Sequence, residues 1–419
     1  MQVRQLVPAR GPAEVASVLA SLRGPGGGAA PFAPQSMDAC VAVSQALLRD
    51  SEAKAHPELV ALGYWLRKSE LARLRAAFAA LETADTLLVP RGLAFHIPPA
   101  NVDTISVYSW ALSFLVGNRN VVRVSSRETE VSRTLVRILD GVGGTPAGAL
   151  LPRTTAFVTY PHEPQITDQL SAACDVRLIW GGDASVAAVR ASPIPPGALD
   201  IAFPDRYSIA VLSAPAVLAL GPREAEQLAG AFFNDTFWFD QLGCSSPRAV
   251  AWVGAPEVGI KAGRRFEELL AARVKSQGYV LPTSAALAKL TFAYGAVATQ
   301  PVVRYAAHGN ELTFLDLASP GGLHTEHCGG GLLFQVGVPG LAALTPLVTR
   351  RYQTVSYFGF PPLELRAWIR ELNGRGVDRV VPVGEALSFH RYWDGFDLLQ
   401  MLTRRVHLRA TERERDEQA

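Results

Sequence analysis

The feature that most constrains this chain is an alternation of short, β-branched apolar runs with helical segments, which occurs in two stretches. In the first, "NVVRVSS" (Asn120 to Ser126), "TAFVTY" (Thr155 to Tyr160) and "DVRLIW" (Asp175 to Trp180) read as strands. "ETEVSRTLVRILDGV" and "EPQITDQLSAAC" read as the helices between them. The second runs from "YSIAVL" (Tyr207 to Leu212) through the helix "PREAEQLAGAFFND" to the strand "RAVAWVG" (Arg248 to Gly254) and the helix "EVGIKAGRRFEELLAARVKSQ". Strands apolar on both faces and separated by helices predict an α/β fold, with parallel sheets built by crossover connections.

At 419 residues the chain is too long for one core and suits two domains. Residues 37 to 81 repeat apolar positions at three and four, so helices are expected there. "LRGPGGGAAPFAP" (Leu22 to Pro34) reads as a flexible loop, and the charged tail "TERERDEQA" as frayed. The near-balance of 40 basic and 38 acidic residues gives no electrostatic case for nucleic acid or an anionic membrane. The apolar stretch around Ile105 to Val116 is too short to span a bilayer, and charges interrupt the N-terminus where a signal peptide needs an apolar core. A cytoplasmic protein without a membrane span is the expectation. Cys40, Cys174, Cys244 and Cys328 lie far apart with no CxxC, which predicts neither disulfides nor a zinc ribbon.

Two stretches carry candidate chemistry. In "DQLGCSSPRAV" (Asp240 to Val250), Cys244 sits between glycine and two serines just ahead of a strand. Small neighbours leave a thiol approachable, and turn N–H groups can face a developing oxyanion, so a nucleophile is one reading and an inert buried cysteine the other. In "HIPPANVDTISVYSWALSFLVGNRNVVRVSS" (His96 to Ser126), a strand ends at a Pro-Pro turn and Asn101 precedes a helix. There Asn101 reads as a functional amide or as an ordinary helix N-cap. "HTEHC" (His324 to Cys328) offers two histidines, a carboxylate and a thiol, but as a lone cluster without distant partners it predicts no metal. "GVGGTPAG" (Gly141 to Gly148) fails the GxGxxG spacing, and His96, His162 and His390 read as structural.

Together these motifs resemble the aldehyde dehydrogenase superfamily: an Ile-x-Pro-x-Asn turn, a helix closed by Gly-Asn, a strand ending in a basic residue plus x-Ser, and Gln241-Leu-Gly-Cys244 as the nucleophile turn. "LIWGGDASV" (Leu178 to Val186) falls where that superfamily opens a helix against the cofactor phosphates, and bare N–H groups at a helix start suit an anion. "EHCGGGLLFQV" (Glu326 to Val336) resembles the segment whose glutamate holds the nicotinamide ribose. Within the superfamily the likeness is to the LuxC group of long-chain acyl-CoA reductases, carried by "FDQLGCSSPRAV", "RRYQTVSYFG" and "GVDRVVPVGEALSFHRYWDGFDLL".

The resemblance implies an aldehyde dehydrogenase-like α/β fold. N-terminal helices and a Rossmann-type cofactor domain would span residues 1–205, a catalytic domain 206–385, and a C-terminal segment packing back 386–419. It implies Cys244 and Asn101 as catalytic, and Ile97, Pro99, Arg123, Ser125, Ser126, Arg127, Gly181, Gly182 and Glu326 as cofactor-binding. Acid-forming members carry a water-activating glutamate where this chain has Phe203, with Asp205 as a near neighbour, so reduction of an acyl thioester to the aldehyde is favoured over aldehyde oxidation. NAD-specific members place a glutamate where this chain has Ser126. Neutral and basic neighbours suit a 2′-phosphate, so NADPH is expected before NADH. The implied donor is acyl-CoA or an acyl-carrier thioester, with a carrier protein or acyl-protein synthetase as candidate partners and a homodimer or homotetramer as the assembly. Trp110, Phe114, Phe237 and Trp238 are candidate linings of an acyl channel. The dissimilar alternative is a cofactor-free thiol acyltransferase or hydrolase pairing Cys244 with a histidine such as His327.

Overall fold

The computed structural model describes residues 1–22, 28–323 and 325–409. The glycine-rich part of the expected loop at 23–27, His324 and the expected frayed tail from 410 onward lie outside the described residues. The chain divides into two compact units, Met1–Pro204 with Phe389–Ala419, and Asp205–Ser388.

The first unit carries β1 (Gln2–Val7), β2 (Gly11–Glu14), β3 (Thr86–Pro90), β4 (Leu93–Ile97), β5 (Arg119–Arg123), β6 (Thr155–Thr159), β7 (Val176–Trp180) and β8 (Leu199–Phe203). All but β3 form one sheet in the order β2-β1-β6-β5-β4-β7-β8. From β6 to β8 every pair is parallel. β4 and β7 are buried at every position, as strands covered by helices on both faces must be. The helix Thr104–Leu115 is buried along its whole length, which is why its sequence shows no polar face.

The sequence pattern predicts no strand before residue 37. Instead β1 and β2 add an antiparallel pair at the sheet's edge, β1 alongside β6. Alternate residues of β1 face inward, but one of them is Gln5, buried like Val3 and Val7, and this polar residue breaks the apolar alternation that would mark a strand. The region after 37 folds as the helices Pro34–Arg49, Ser51–Lys54, Pro57–Trp65 and Lys68–Ala79.

A chain of polarised hydrogen bonds crosses the middle of this sheet. Trp180 donates its indole N–H to Ser109 Oγ (3.3 Å), Ser109 Oγ meets His96 Nδ1 (2.7 Å), and His96 Nε2 meets Asn120 Oδ1 (3.0 Å). Asn120 uses its own NH2 on Asn118 O (2.9 Å), which fixes its oxygen as acceptor and so puts the imidazole proton on Nε2. Asn118, the asparagine of the Gly-Asn pair, accepts from the Gly92 N–H (3.0 Å) and donates to Leu402 O (2.8 Å). The C-terminal segment is further held by aromatic contacts: Tyr108 lies against Phe389 and Trp393, and Trp393 meets Trp180 edge-on. A strand at Thr403–His407 pairs antiparallel with β3.

The second unit holds β9 (Tyr207–Ser213), β10 (Pro247–Val253), β11 (Val302–His308), β12 (Leu312–Leu317), β13 (Leu332–Val338), β14 (Tyr352–Phe358) and β15 (Arg379–Pro382), in the order β11-β12-β13-β10-β9-β14-β15. Only the β11–β12 pair is antiparallel. Helices Pro222–Phe237 and Pro256–Ser276 pack Phe232, Phe266 and Leu270 into one core cluster. Helices Thr283–Thr299 and Pro362–Leu372 pack Ala293, Leu365 and Trp368 into another.

His96 gives a pH signature. Burial holds its imidazole down from the ordinary 6.5 to about 4, so between those values the unfolded chain binds a proton that the folded one does not. Stability is expected to be intact above about pH 6.5 and to fall by roughly 3 kcal/mol as pH drops to 4. In denaturant titrations over that window, His96→Gln should flatten the slope; an unchanged slope refutes the assignment.

Candidate active site

In the first unit the cofactor candidates gather at the carboxyl ends of β4, β5 and β7. β5 and β6 are laid on one side of β4 and β7 and β8 on the other, and such a reversal of strand order opens a crevice where open α/β sheets take ligands. β4 ends at the buried Ile97, followed by Pro98 and Pro99. Asn101 follows with its side chain exposed. It is not the N-cap of the helix that follows; that position belongs to Asp103. The Asp103 carboxylate accepts the Thr129 hydroxyl at 2.5 Å, and burial pushes its pKa up. This bond ties the turn after β4 to the turn after β5, where Thr129 and Ser132 form a capping box for the helix Glu130–Gly143.

After β5, the Arg123 guanidinium lies 4.6 Å over the Tyr160 ring. Ser125 Oγ accepts the Arg127 N–H at 3.1 Å. Ser125 and Ser126 line a cavity of about 740 Å³ with Arg4, Glu128, Arg133 and Tyr160. Arg127 is exposed and does not line it. Glu128, which the sequence reading passed over, faces Arg4 at 3.8 Å.

After β7, Gly181 adopts φ +156°, and its N–H bonds Phe203 O at 3.2 Å. Gly182 is the N-cap of the helix Asp183–Arg190 and offers no side chain there, so that end presents bare backbone N–H groups, as a phosphate cradle requires. Phe203 is buried and stacked on Trp180 with centroids 3.7 Å apart, so no ionisable group occupies its position.

In the second unit Cys244 lies between the helix Pro222–Phe237 and β10. Asp240 and Gln241, just before it, both take positive φ (+50° and +62°) without being glycine, a strained pair that needs outside support. Gln241 supplies it. Fully buried, it donates to Pro247 O (2.9 Å) and Leu332 O (2.8 Å) and accepts from the Gly331 N–H (3.0 Å). At Gly331, with φ +75°, an added Cβ would lie 2.1 Å from Glu311 O, so only glycine fits there.

The Cys244 carbonyl accepts the Ser208 hydroxyl at 2.6 Å, and its sulfur accepts from Gln353 Nε2 at 3.4 Å. Cys244 is half-buried, whereas Cys40 and Cys174 are sealed and burial pushes their thiols up, Cys174 to about 12. Burial also takes Cys328 to about 11, against the pull of Lys289.

Glu326 is exposed and lines a cavity of about 440 Å³ with Asp205, Arg206, Arg248, His327 and Arg351. Burial, helped by Arg248, holds His327 down to about 3, and its Nδ1 accepts the Gly329 N–H at 3.1 Å. Among the channel candidates, Trp110 and Phe114 are buried and stacked on each other in the first unit. Phe237 packs against Phe233 and Tyr279 in the second. Gln353 and Ser208 escaped the sequence reading, since nothing in local spacing links them to a cysteine 109 and 36 residues away.

A protein-family model described as Acyl-CoA reductase (LuxC) matches residues 78–405. A search of curated proteins returns no match. Among solved structures, aldehyde dehydrogenase 21 from Physcomitrella patens, in complex with succinate, aligns with TM-score 0.66 at 14% identity over 95% of this chain and 91% of that one. A NAD-dependent benzaldehyde dehydrogenase from Corynebacterium glutamicum aligns with TM-score 0.64 at 16% identity over 94% and 90%. A variant of proline utilization A from Bradyrhizobium japonicum aligns with TM-score 0.65 at 16% identity over 94% of this chain, which spans 44% of that longer protein. These likenesses establish the aldehyde dehydrogenase fold.

Gln241→Leu removes three hydrogen bonds and leaves buried backbone groups unpaired. Denaturant unfolding should show a loss on the order of 3 kcal/mol; a loss within ~0.5 kcal/mol, the usual range for an ordinary surface change, refutes the role given to Gln241.

Proposed function

Since the chain belongs to the LuxC acyl-CoA reductase family, we propose that it reduces a long-chain acyl thioester to the aldehyde through an acyl thioester on Cys244. The observation that carries this reading is the presentation of Cys244: a half-exposed thiol on a turn braced by Gln241, with an amide N–H on its sulfur. Cys40 and Cys174 are sealed, and Cys328, half-buried like Cys244, has its thiol pushed up to about 11 by burial.

The Cys244 thiolate adds to the thioester carbonyl, and the tetrahedral adduct collapses with its electron pair leaving on the donor thiol. Family resemblance gives the oxyanion to the Asn101 amide and the Cys244 backbone N–H. A nicotinamide cofactor held along Ile97, Pro99, Gly181, Gly182 and Glu326 would supply the hydride to the acyl carbon. The resulting thiohemiacetal then breaks its C–S bond, the pair returning to sulfur as the aldehyde forms. Stacked against Trp180, Phe203 offers no base to activate water, which favours this outcome over release of the acid.

The cofactor is proposed to lie along Ile97, Pro99 and the turn after β5, with its phosphates at Gly181 and Gly182 and its nicotinamide ribose on Glu326. NADPH is favoured over NADH because Ser126, Arg4 and Arg133 line the cavity after β5, and the acidic Glu128 that also lines it faces Arg4 at 3.8 Å. Arg123 and Arg127 add positive charge on the same turn. The acyl donor is proposed to be CoA or a carrier protein, delivered directly or by an acyl-protein synthetase, and the protein to act as a homodimer or homotetramer. Among the described residues no helix is long and apolar enough to cross a membrane. A hydrolase using His327 as base is disfavoured, because burial lowers that imidazole to about 3, which makes it a poor proton acceptor, and its Nδ1 lone pair already accepts the Gly329 N–H.

With tetradecanoyl-CoA, NADPH oxidation should be abolished in Cys244→Ala and slowed on the order of 10²–10³ in Asn101→Ala. CoA release without NADPH oxidation would favour the cofactor-free alternative. Ser126→Glu should shift the kcat/KM ratio toward NADH by about tenfold or more, the effect of about 1.4 kcal/mol; an unchanged ratio removes the case for a 2′-phosphate at that turn.

A further inference from the structure

We infer that Gln353 is a catalytic residue, donating from its side-chain amide to the Cys244 sulfur and stabilising the thiolate from which acyl transfer starts and to which the electron pair returns. The inference rests on the reading of Cys244 as nucleophile.

The geometry is specific. Gln353 Nε2 lies 3.4 Å from Cys244 Sγ, and both Gln353 and Ser245 are buried. Its Oε1 accepts the Ser245 hydroxyl at 2.7 Å and the Thr354 hydroxyl at 3.3 Å, and its NH2 end is set toward the sulfur. A hydrogen bond to the charged form of an acid favours that form.

The backbone is shaped to make this meeting. β9 runs between β10 and β14, and its register slips on both sides, between Pro247 and Val250 and between Tyr352 and Val355. Such irregularities re-aim side chains near active sites. At that point the Ser208 hydroxyl replaces regular ladder bonds, donating to the Cys244 carbonyl at 2.6 Å and accepting the Thr354 N–H at 3.2 Å. Nucleophile and amide are therefore fixed against one strand from opposite sides. Arg248, buried and held by the Arg206 carbonyl at 2.9 Å, adds a positive charge nearby. Burial pushes its guanidinium down to about 10, and Cys244 is the leading group opposing that shift.

The donor matters at both ends of the cycle. In the acyl-enzyme the sulfur is uncharged and accepts weakly. When the thiohemiacetal collapses, the C–S pair returns to sulfur and the same N–H meets the forming thiolate, so no outside oxidant or reductant is needed for this part of the reaction.

The test is the pH dependence of Cys244 alkylation by iodoacetamide in the full chain, with the labelled site read by peptide mass. In Gln353→Met the midpoint should move up by about one unit. Labelling at neutral pH should then fall about threefold, a tenfold loss of thiolate being partly offset by its higher basicity. Gln353→Glu, which sets a carboxylate beside the sulfur, should move the midpoint further up. Folded Gln353→Met and Gln353→Glu proteins with the wild-type profile overturn the inference. If Gln353→Met does not fold, Gln353→Glu and Ser245→Ala decide, the latter expected to shift the midpoint in the same direction by a smaller amount. Cys244→Ala separates the two levels. If it still oxidises NADPH, the nucleophile reading fails; if it is inactive while the Gln353 variants keep the wild-type profile, only the role of Gln353 fails.

Discussion

One buried amide makes the candidate active site possible. The chain enters the Cys244 turn through two consecutive residues in a backbone region that side chains disfavour, and it stays there because Gln241 binds β10, β13 and the glycine loop before β13 at once. Strain in the turn and satisfaction of the amide form a single arrangement. Leu242, two residues short of Cys244, is left exposed as the chain passes over the locked glutamine. What keeps the thiol half-exposed is thus a polar group sealed in the interior.

The first unit uses the same device on a longer scale. From Trp180 through Ser109, His96 and Asn120 to Asn118, a line of donors and acceptors joins the two strands flanking β4 to β4 itself and reaches the C-terminal segment at Leu402. Each member is satisfied by the next, so the cost of burying five polar side chains is offset and their orientations are fixed. The strands whose carboxyl ends carry Ile97, Arg123 and Gly181 are held in mutual register by groups that take no part in chemistry.

The alternation of strands and helices was legible because buried parallel strands are apolar runs that no other element imitates well at that length. The cysteine turn and the Gly-Asn pair were legible through motif spacing. β1 was not, since a short strand with a buried glutamine lacks a clean apolar period. Neither Gln353 nor Ser208 could be found, because a side chain reaching across a sheet leaves no trace in local sequence. Asp103 shows a further limit: a good capping residue sits at the cap, yet its carboxylate serves Thr129 on another turn.

The unequal treatment of the four cysteines has a practical side. Two are sealed inside the first unit, and the third, close to a lysine, is still held protonated. A mild electrophile, or a peroxide, therefore finds two half-buried sulfurs, Cys244 and Cys328, with burial holding the second toward the thiol form. A fluorophore or crosslinker meant for Cys244 would have Cys328 as its competitor, since the other two sulfurs are sealed. By the same logic, oxidative injury in storage would fall on these two sulfurs before the sealed pair.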